Sequence, residues 1–234
     1  MKPIRTSSAL DLLSTLKKID ISVPLRTEGR TTEHCEQWSI CRFLASFADS
    51  ELVSYPFCVV HRDRPDFLLE LAQNNVGIEH TEVVPKNSAA IDAYREHKDI
   101  DGPFFMKRHH PDDTKLRGAN LDREASSRNP GDGWAGDSVE REWTGAMKSF
   151  IHEKVEKSKK PDFELFERNW LLMYDNWPLP ALDQAVAANM LFDSLVPHEH
   201  GPFENIFIEC SSRFWVFTCN DYYSQPINDV WNGS

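Results

Sequence analysis

Three short apolar runs, Tyr55-Pro56-Phe57-Cys58-Val59-Val60, Pro65-Asp66-Phe67-Leu68-Leu69-Glu70-Leu71 and the stretch 76–84, follow one another closely and are rich in β-branched and aromatic residues. That composition suits strands. Ala72-Gln73-Asn74-Asn75 supplies turn residues between the last two, so the pattern predicts a three-stranded antiparallel meander. Helical spacing precedes it. Leu10, Leu13 and Leu16 predict a peripheral helix within residues 1–25, ending near Pro24. A second helix is expected from Thr31 to about Ser50, with Thr31 or Thr32 as N-cap and Glu33 and Glu36 in its first turns. Its apolar side is Trp38, Ile40, Cys41, Leu44, Ala45 and Phe47.

Periodicity fades over residues 86–138, especially 102–138, where Gly102-Pro103, Pro111-Asp112 and Asn129-Pro130-Gly131 mark turns. A long inserted loop or small subdomain is expected there. A helix over 139–159, a buried strand at Asn169-Trp170-Leu171-Leu172-Met173-Tyr174 and a helix over 182–195 follow. Two last strands, 205–210 and 214–218, predict a C-terminal β-hairpin across Ser211-Ser212-Arg213. The expected fold is α/β in the α+β sense, a mixed central sheet flanked by helices. Residues 1–30 form a peripheral segment, and 31–234 form one domain that contains the 86–138 insertion.

Composition bounds the function. With 234 residues, 40% of them hydrophobic and 27% charged, the chain can bury one substantial core. It has no apolar run of transmembrane length, and Met1-Lys2-Pro3-Ile4-Arg5-Thr6 lacks the apolar stretch of a secretion signal, which predicts a cytoplasmic protein without membrane contact. The five cysteines form no CxxC pair. Cys58, Cys210 and Cys219 lie in strand-like runs and are expected to be buried thiols. The net charge of −11 argues against strong non-specific binding to phosphate backbones. Basic residues do cluster at Lys107-Arg108-His109-His110 and over 154–160, either as solvated faces or as a nucleic-acid-binding surface in which Lys107, Arg108 and Lys157 take part. His109-His110 and His198-Glu199-His200 lack the HExxH spacing of a zinc site, and no phosphate-binding glycine loop or GxSxG elbow occurs.

Candidate chemistry lies in the meander. Side chains alternate faces along a strand, so Asp66, Leu68 and Glu70 share one face and Glu79, Thr81 and Val83 share one face of the next strand. A turn centred between Ala72 and Gln73 places Asp66 opposite Glu79; a turn centred on Asn74-Asn75 pairs Glu79 with Glu70 instead. Either register leaves Asp66 and Glu79 on one face.

Pro65-Asp66, twelve intervening residues, then Glu79-His80-Thr81, set after a helix and a strand and before a helix and a strand, resembles the PD-(D/E)xK nuclease superfamily over roughly residues 31–174. The resemblance implies a restriction-endonuclease-like fold and magnesium- or manganese-dependent cleavage of DNA, with RNA as a second substrate class. It implies metal ligation by Asp66, Glu79 and the His80 backbone carbonyl, with Glu33 or Glu36 as the acidic residue of the first core helix.

Thr81 departs from the pattern, because it stands where the superfamily carries a lysine and brings no positive charge. Lys154 offers a replacement. At about 100° per residue, Trp143, Met147, Phe150 and Ile151 define an apolar stripe on the 139–159 helix, with Lys154 near its centre and Lys157 at its margin. Lys154 either snorkels to solvent or reaches the carboxylates in the role of the motif lysine, a relocation the superfamily permits. The expected activity is an endodeoxyribonuclease using Asp66, Glu79, Thr81 and Lys154. The alternatives are an inactive nuclease-like fold serving as a nucleic-acid-binding or assembly subunit, and a hydrolase of smaller phosphodiesters. The acidic charge leaves room for a homodimer or protein partner that supplies basic surface.

Overall fold

A computed structural model describes residues 1–25, 28–100, 107–129, 131 and 133–231. The turns expected at Gly102-Pro103, Pro130 and Asp132 lie outside the described residues. The chain builds a mixed α/β fold around an open eight-stranded sheet whose strands lie in chain order. Strands β2 (Phe57–His61), β3 (Phe67–Glu70) and β4 (Asn75–Val83) are antiparallel, as the three-stranded meander pattern predicts, and β1 (Ile4–Thr6) adds a further antiparallel strand beside β2. Strands β5 (Arg168–Asp175) and β6 (Asn205–Cys210) then run parallel to β4. Parallel neighbours need long crossovers. Helices α3 (Lys86–Lys98), α4 (Ala119–Ala125) and α5 (Ser138–Ser158) lie in the first, and α6 (Gln184–Ser194) in the second. Strands β7 (Arg213–Phe217) and β8 (Tyr222–Pro226) finish the sheet antiparallel.

Residues 170–173 of β5 are all fully buried, as a strand covered on both faces requires. Trp170 and Leu172 face a core with Phe43 of helix α2 (Thr32–Ser46), Phe47 at its C-cap, Phe207 of β6 and Phe214 of β7, while helix α1 (Ala9–Leu16) adds Leu12 and Leu16. Leu171 and Met173 face the opposite core, with Trp143, Met147 and Ile151 of α5 and Leu191 of α6. The sheet is thus sandwiched, and the two faces of β4 look toward α2 and α5 respectively.

Four expectations need correction. The N-terminal segment is not one peripheral helix: Ile4–Thr6 joins the sheet, pairing Ile4 with Val59, and α1 spans only eight residues from an N-cap at Ser8. Its buried stripe is Leu12 and Leu16, while Leu10 is 81% exposed. The 86–138 insertion is partly helical; α3 buries only Asn87 and Ile91, so it leaves little apolar periodicity to read. The two-strand ending gains β8, a polar edge strand. Cys219 is exposed rather than buried, whereas Cys58 and Cys210 are buried thiols. Among the described residues no helix is long and apolar enough to cross a membrane.

Candidate functional site

The β3–β4 hairpin sets the geometry. Its pairs run from Phe67 opposite Ile78 to Glu70 opposite Asn75, and the Leu71 N–H closes the turn on the Asn74 carbonyl at 3.0 Å. The turn is therefore centred between Ala72 and Gln73. One further step of the same register sets Asp66 opposite Glu79. Gly77 makes room for this approach: a Cβ there would sit 2.9 Å from Pro65 Cγ and 2.8 Å from Phe166 Cδ2. Asp66 Oδ2 accepts a 2.6 Å hydrogen bond from the His80 backbone N–H, which ties the start of β3 to β4.

Glu79 is fully buried, on the α5 side of the sheet. Lys154 Nζ donates to Glu79 Oε1 at 2.7 Å and to the His80 carbonyl at 2.6 Å, and Lys157 Nζ donates to the same Glu79 oxygen at 2.6 Å. Lys154 therefore turns inward rather than snorkelling. The cause lies in the helix: the two lysines, three residues apart, share one face of α5 and extend its buried stripe of Trp143, Met147 and Ile151. Glu79 Oε2 is buried and has no hydrogen-bond partner among the described residues.

Burial, with repulsion from Glu79, pushes the Asp66 carboxyl up to about 6 against the pull of the His80 N–H and Lys154; Glu36 adds further repulsion. The Glu36 carboxylate meets His61 Nε2 at 2.7 Å and lines the same cleft, whereas Glu33 is exposed. Burial and the Lys154 ammonium push the His80 imidazole down to about 3, so it is neutral near pH 7, with Nε2 2.9 Å from Ser39 Oγ on α2. Burial opposes the charge on Lys157, but its bond to Glu79 and the attraction of Glu79 and Asp66 outweigh this and raise its pKa.

Thr81 lines this cleft of about 400 Å³ together with Lys154 and Lys157, while Glu82 is engaged by Arg30 and Asn176, each at 2.8 Å. Arg30 and Arg64 also line the cleft, with Arg30 paired to Glu82 and Arg64 to Asp162. Glu36, Asp63, Asp66 and Glu82 line the same cleft, so its four cations are matched by four acids and do not make a net basic surface. Sequence reasoning missed Arg30, Arg64 and His61. Arg64 adjoins Pro65-Asp66 and Arg30 adjoins the α2 cap, so proximity to those motifs was the available signal for both. His61 carried none.

Lys107 and Arg108 are not brought to this cleft. Lys107 is bonded to Glu124 and Arg108 to Glu142, at 3.4 Å in the latter case, and Arg108 lines a separate cleft of about 830 Å³ between the insertion and α5. His109 and His110 lie there too, and among the described residues no group of three or more His, Cys, Asp or Glu side chains is placed to hold a metal.

The carboxylate cleft could hold a hard cation nonetheless. Magnesium needs only one or two protein carboxylates and keeps several waters. Asp66, Glu79 and the His80 carbonyl are oxygen donors of that kind, and the orphaned Glu79 Oε2 is a buried acceptor that such a cation would satisfy. Glu36 stands at the edge of the set through its place on α2. No family model, curated protein or solved structure matches the chain.

Proposed function

We propose that this protein is a metal-dependent phosphodiesterase of the restriction-endonuclease-like kind, an endodeoxyribonuclease that cuts DNA. The observation that carries the reading is Lys154, which reaches Glu79 and the His80 carbonyl from α5 while Asp66 stands opposite Glu79. The order α2, β2, β3, β4, α3, α4, α5, β5 supports the same reading, since, apart from α3 and α4 of the insertion, it follows the helix, three-strand, helix, strand succession that the superfamily resemblance implies.

Asp66, Glu79 and the His80 carbonyl would hold magnesium or manganese, which when bound supplies Lewis-acid charge stabilisation and a more acidic water. The protein's own groups have distinct tasks. Lys154 stabilises the negative charge that grows on the non-bridging phosphate oxygens as water attacks phosphorus and the opposite P–O bond breaks, with the proton ending on the leaving oxygen. The neutral His80, fixed to Ser39, keeps the carbonyl and the Asp66-bound N–H in place. Arg30 and Arg64 sit where flanking phosphates would approach. Thr81 adds a hydroxyl but no charge.

Cleavage of supercoiled plasmid, single-stranded DNA and RNA with magnesium tests this. Wild-type protein is expected to cut, and Asp66→Asn and Glu79→Gln to fail with unchanged circular dichroism. Cleavage that persists in both variants, or none by wild type on any substrate, refutes it. One observation favours a second reading, an inactive nuclease-like fold that binds nucleic acid or a partner protein: two ammonium groups already crowd Glu79 Oε1. Calorimetry separates the two, since the second predicts no uptake of magnesium or manganese with retained DNA or partner binding.

A further inference from the structure

Glu79 Oε1 carries two ammonium groups at once. Lys157 Nζ lies 2.6 Å from it and Lys154 Nζ 2.7 Å, while Lys154 also holds the His80 carbonyl at 2.6 Å. A carboxylate oxygen has two lone pairs, so this one is saturated, whereas Oε2 of the same group is buried and has no hydrogen-bond partner among the described residues. The two lysines are not equally held. Lys154 makes two bonds and its side chain is 15% exposed; among the described residues Lys157 makes one and is 32% exposed, at the margin of the buried stripe of α5.

Charge decides what happens when a cation joins this group. The Asp66 and Glu79 carboxylates already face two ammonium groups, and the field of Asp66 reaches Lys157 as well as Lys154. A divalent cation on the same carboxylates doubles the positive charge, at separations where like charges in a partly buried site repel strongly. Departure of one ammonium relieves that repulsion, and Lys157 is the easier to move. It gives up one bond, and its flexible four-carbon stem lets Nζ swing into the cleft that Lys157 already lines while the helix stays in place. Lys154 is tied at two points and lies deeper.

We propose that Lys157 is an exchangeable stand-in for the metal: its ammonium holds Glu79 in the metal-free protein and withdraws into the cleft when magnesium or manganese binds. The proposal rests on the cation site of the nuclease reading above. Before metal arrives, the stand-in keeps a buried carboxylate from the cost of an uncompensated charge. Once withdrawn, Lys157 presents a free ammonium to a backbone phosphate of a strand in the cleft. Metal and nucleic acid therefore favour each other's binding through this one side chain.

Calorimetric titration of the full chain with manganese, in the absence of nucleic acid, tests the exchange. Lys157→Met and Lys157→Gln remove the ammonium that competes for Glu79 and are expected to bind manganese about tenfold or more tightly than wild type. Glutamine keeps a donor for Glu79, so the second variant gives an answer even if the first fails to fold. Arg64→Gln lowers the charge of the same cleft by the same amount and leaves the bonds to Glu79 intact; it is expected to stay within about threefold of wild type. A lysine with a structural role alone would, when removed, leave manganese affinity unchanged or weaker. No gain in a folded Lys157 variant, an equal gain in Arg64→Gln, or no manganese bound by any of these proteins at millimolar concentration overturns the proposal. Tighter manganese binding by the Lys157 variants without cleavage by wild type would refute the nuclease reading and leave the exchange standing; cleavage by wild type without that gain would do the reverse.

Discussion

Lys154→Met separates the charge of the α5 lysine from its bulk. Methionine can follow the same path along the stripe of Met147 and Ile151, but it removes the ammonium that bonds Glu79 Oε1 at 2.7 Å and the His80 carbonyl at 2.6 Å. Hydrogen bonds to charged groups contribute about 1.5–3 kcal/mol each, and breaking a buried pair outright costs about 3–5 kcal/mol. Here Lys157 still holds the same Glu79 oxygen at 2.6 Å, and ordering a lysine itself costs about 2 kcal/mol of rotamer entropy. The net loss of stability is therefore about 2 kcal/mol, readable as a lower midpoint in urea at unchanged slope. On the proposed nuclease reading the loss in catalysis is larger, because the ammonium would act where charge develops: about 10²–10³-fold in single-turnover cleavage. The Asp66 carboxyl also loses an attraction that now holds it down, so its pKa rises above about 6 in the variant. Cleavage by Lys154→Met within about threefold of wild type, less than about 1 kcal/mol of barrier, would refute the assignment of charge stabilisation to this residue.

Thr81 and Lys154 line one cleft, so adding Thr81→Lys to Lys154→Met is expected to restore cleavage by about tenfold or more over the single variant; no recovery in the folded double variant would count against their equivalence. Gly77→Ala drives a methyl against Phe166 and Pro65, which should cost about 1–3 kcal/mol in urea unfolding and weaken manganese binding measured by calorimetry, because Pro65 carries Asp66. Glu209 is buried against Arg42, and burial pushes its carboxyl up to about 7 against the pull of Arg42. Its folded pKa lies above its unfolded value, so the native state binds the extra proton and stability falls as pH rises between about 4.5 and 7, by at most about 1.4 kcal/mol per pH unit. Relative to wild type, Glu209→Gln should gain stability across that window, and parallel stability curves for the two proteins would contradict the assignment.

Strongly periodic segments were readable because burial on both sides of the sheet leaves a plain signature. The meander, α2, α5, β5 and the β6–β7 hairpin fall where the pattern predicts, and strand parity alone placed Asp66 and Glu79 on one face. Helical phase likewise allowed Lys154 to point inward, although sequence could not decide between an inward and a snorkelling lysine; the proximity of α5 to β4 decides it. What was missed depends on tertiary placement. Ile4–Thr6 is too short to show a period, α3 buries only two residues, and β8 is a polar edge. Arg30 and Arg64 acquire meaning only when α2 and β3 close on the carboxylates, and Lys107 and Arg108, adjacent in sequence, are drawn to acids on α4 and α5 instead.

The central claim is that Asp66 and Glu79 form a cation site served by Lys154. A crystal of the protein soaked in manganese and measured at the metal's absorption edge tests it most directly. The account predicts an anomalous peak between the Asp66 and Glu79 carboxylates, within bonding distance of the His80 carbonyl, with Lys154 moved off that oxygen toward the cleft. A map with no peak there, and with Lys154 and Lys157 still bonded to Glu79, would contradict it.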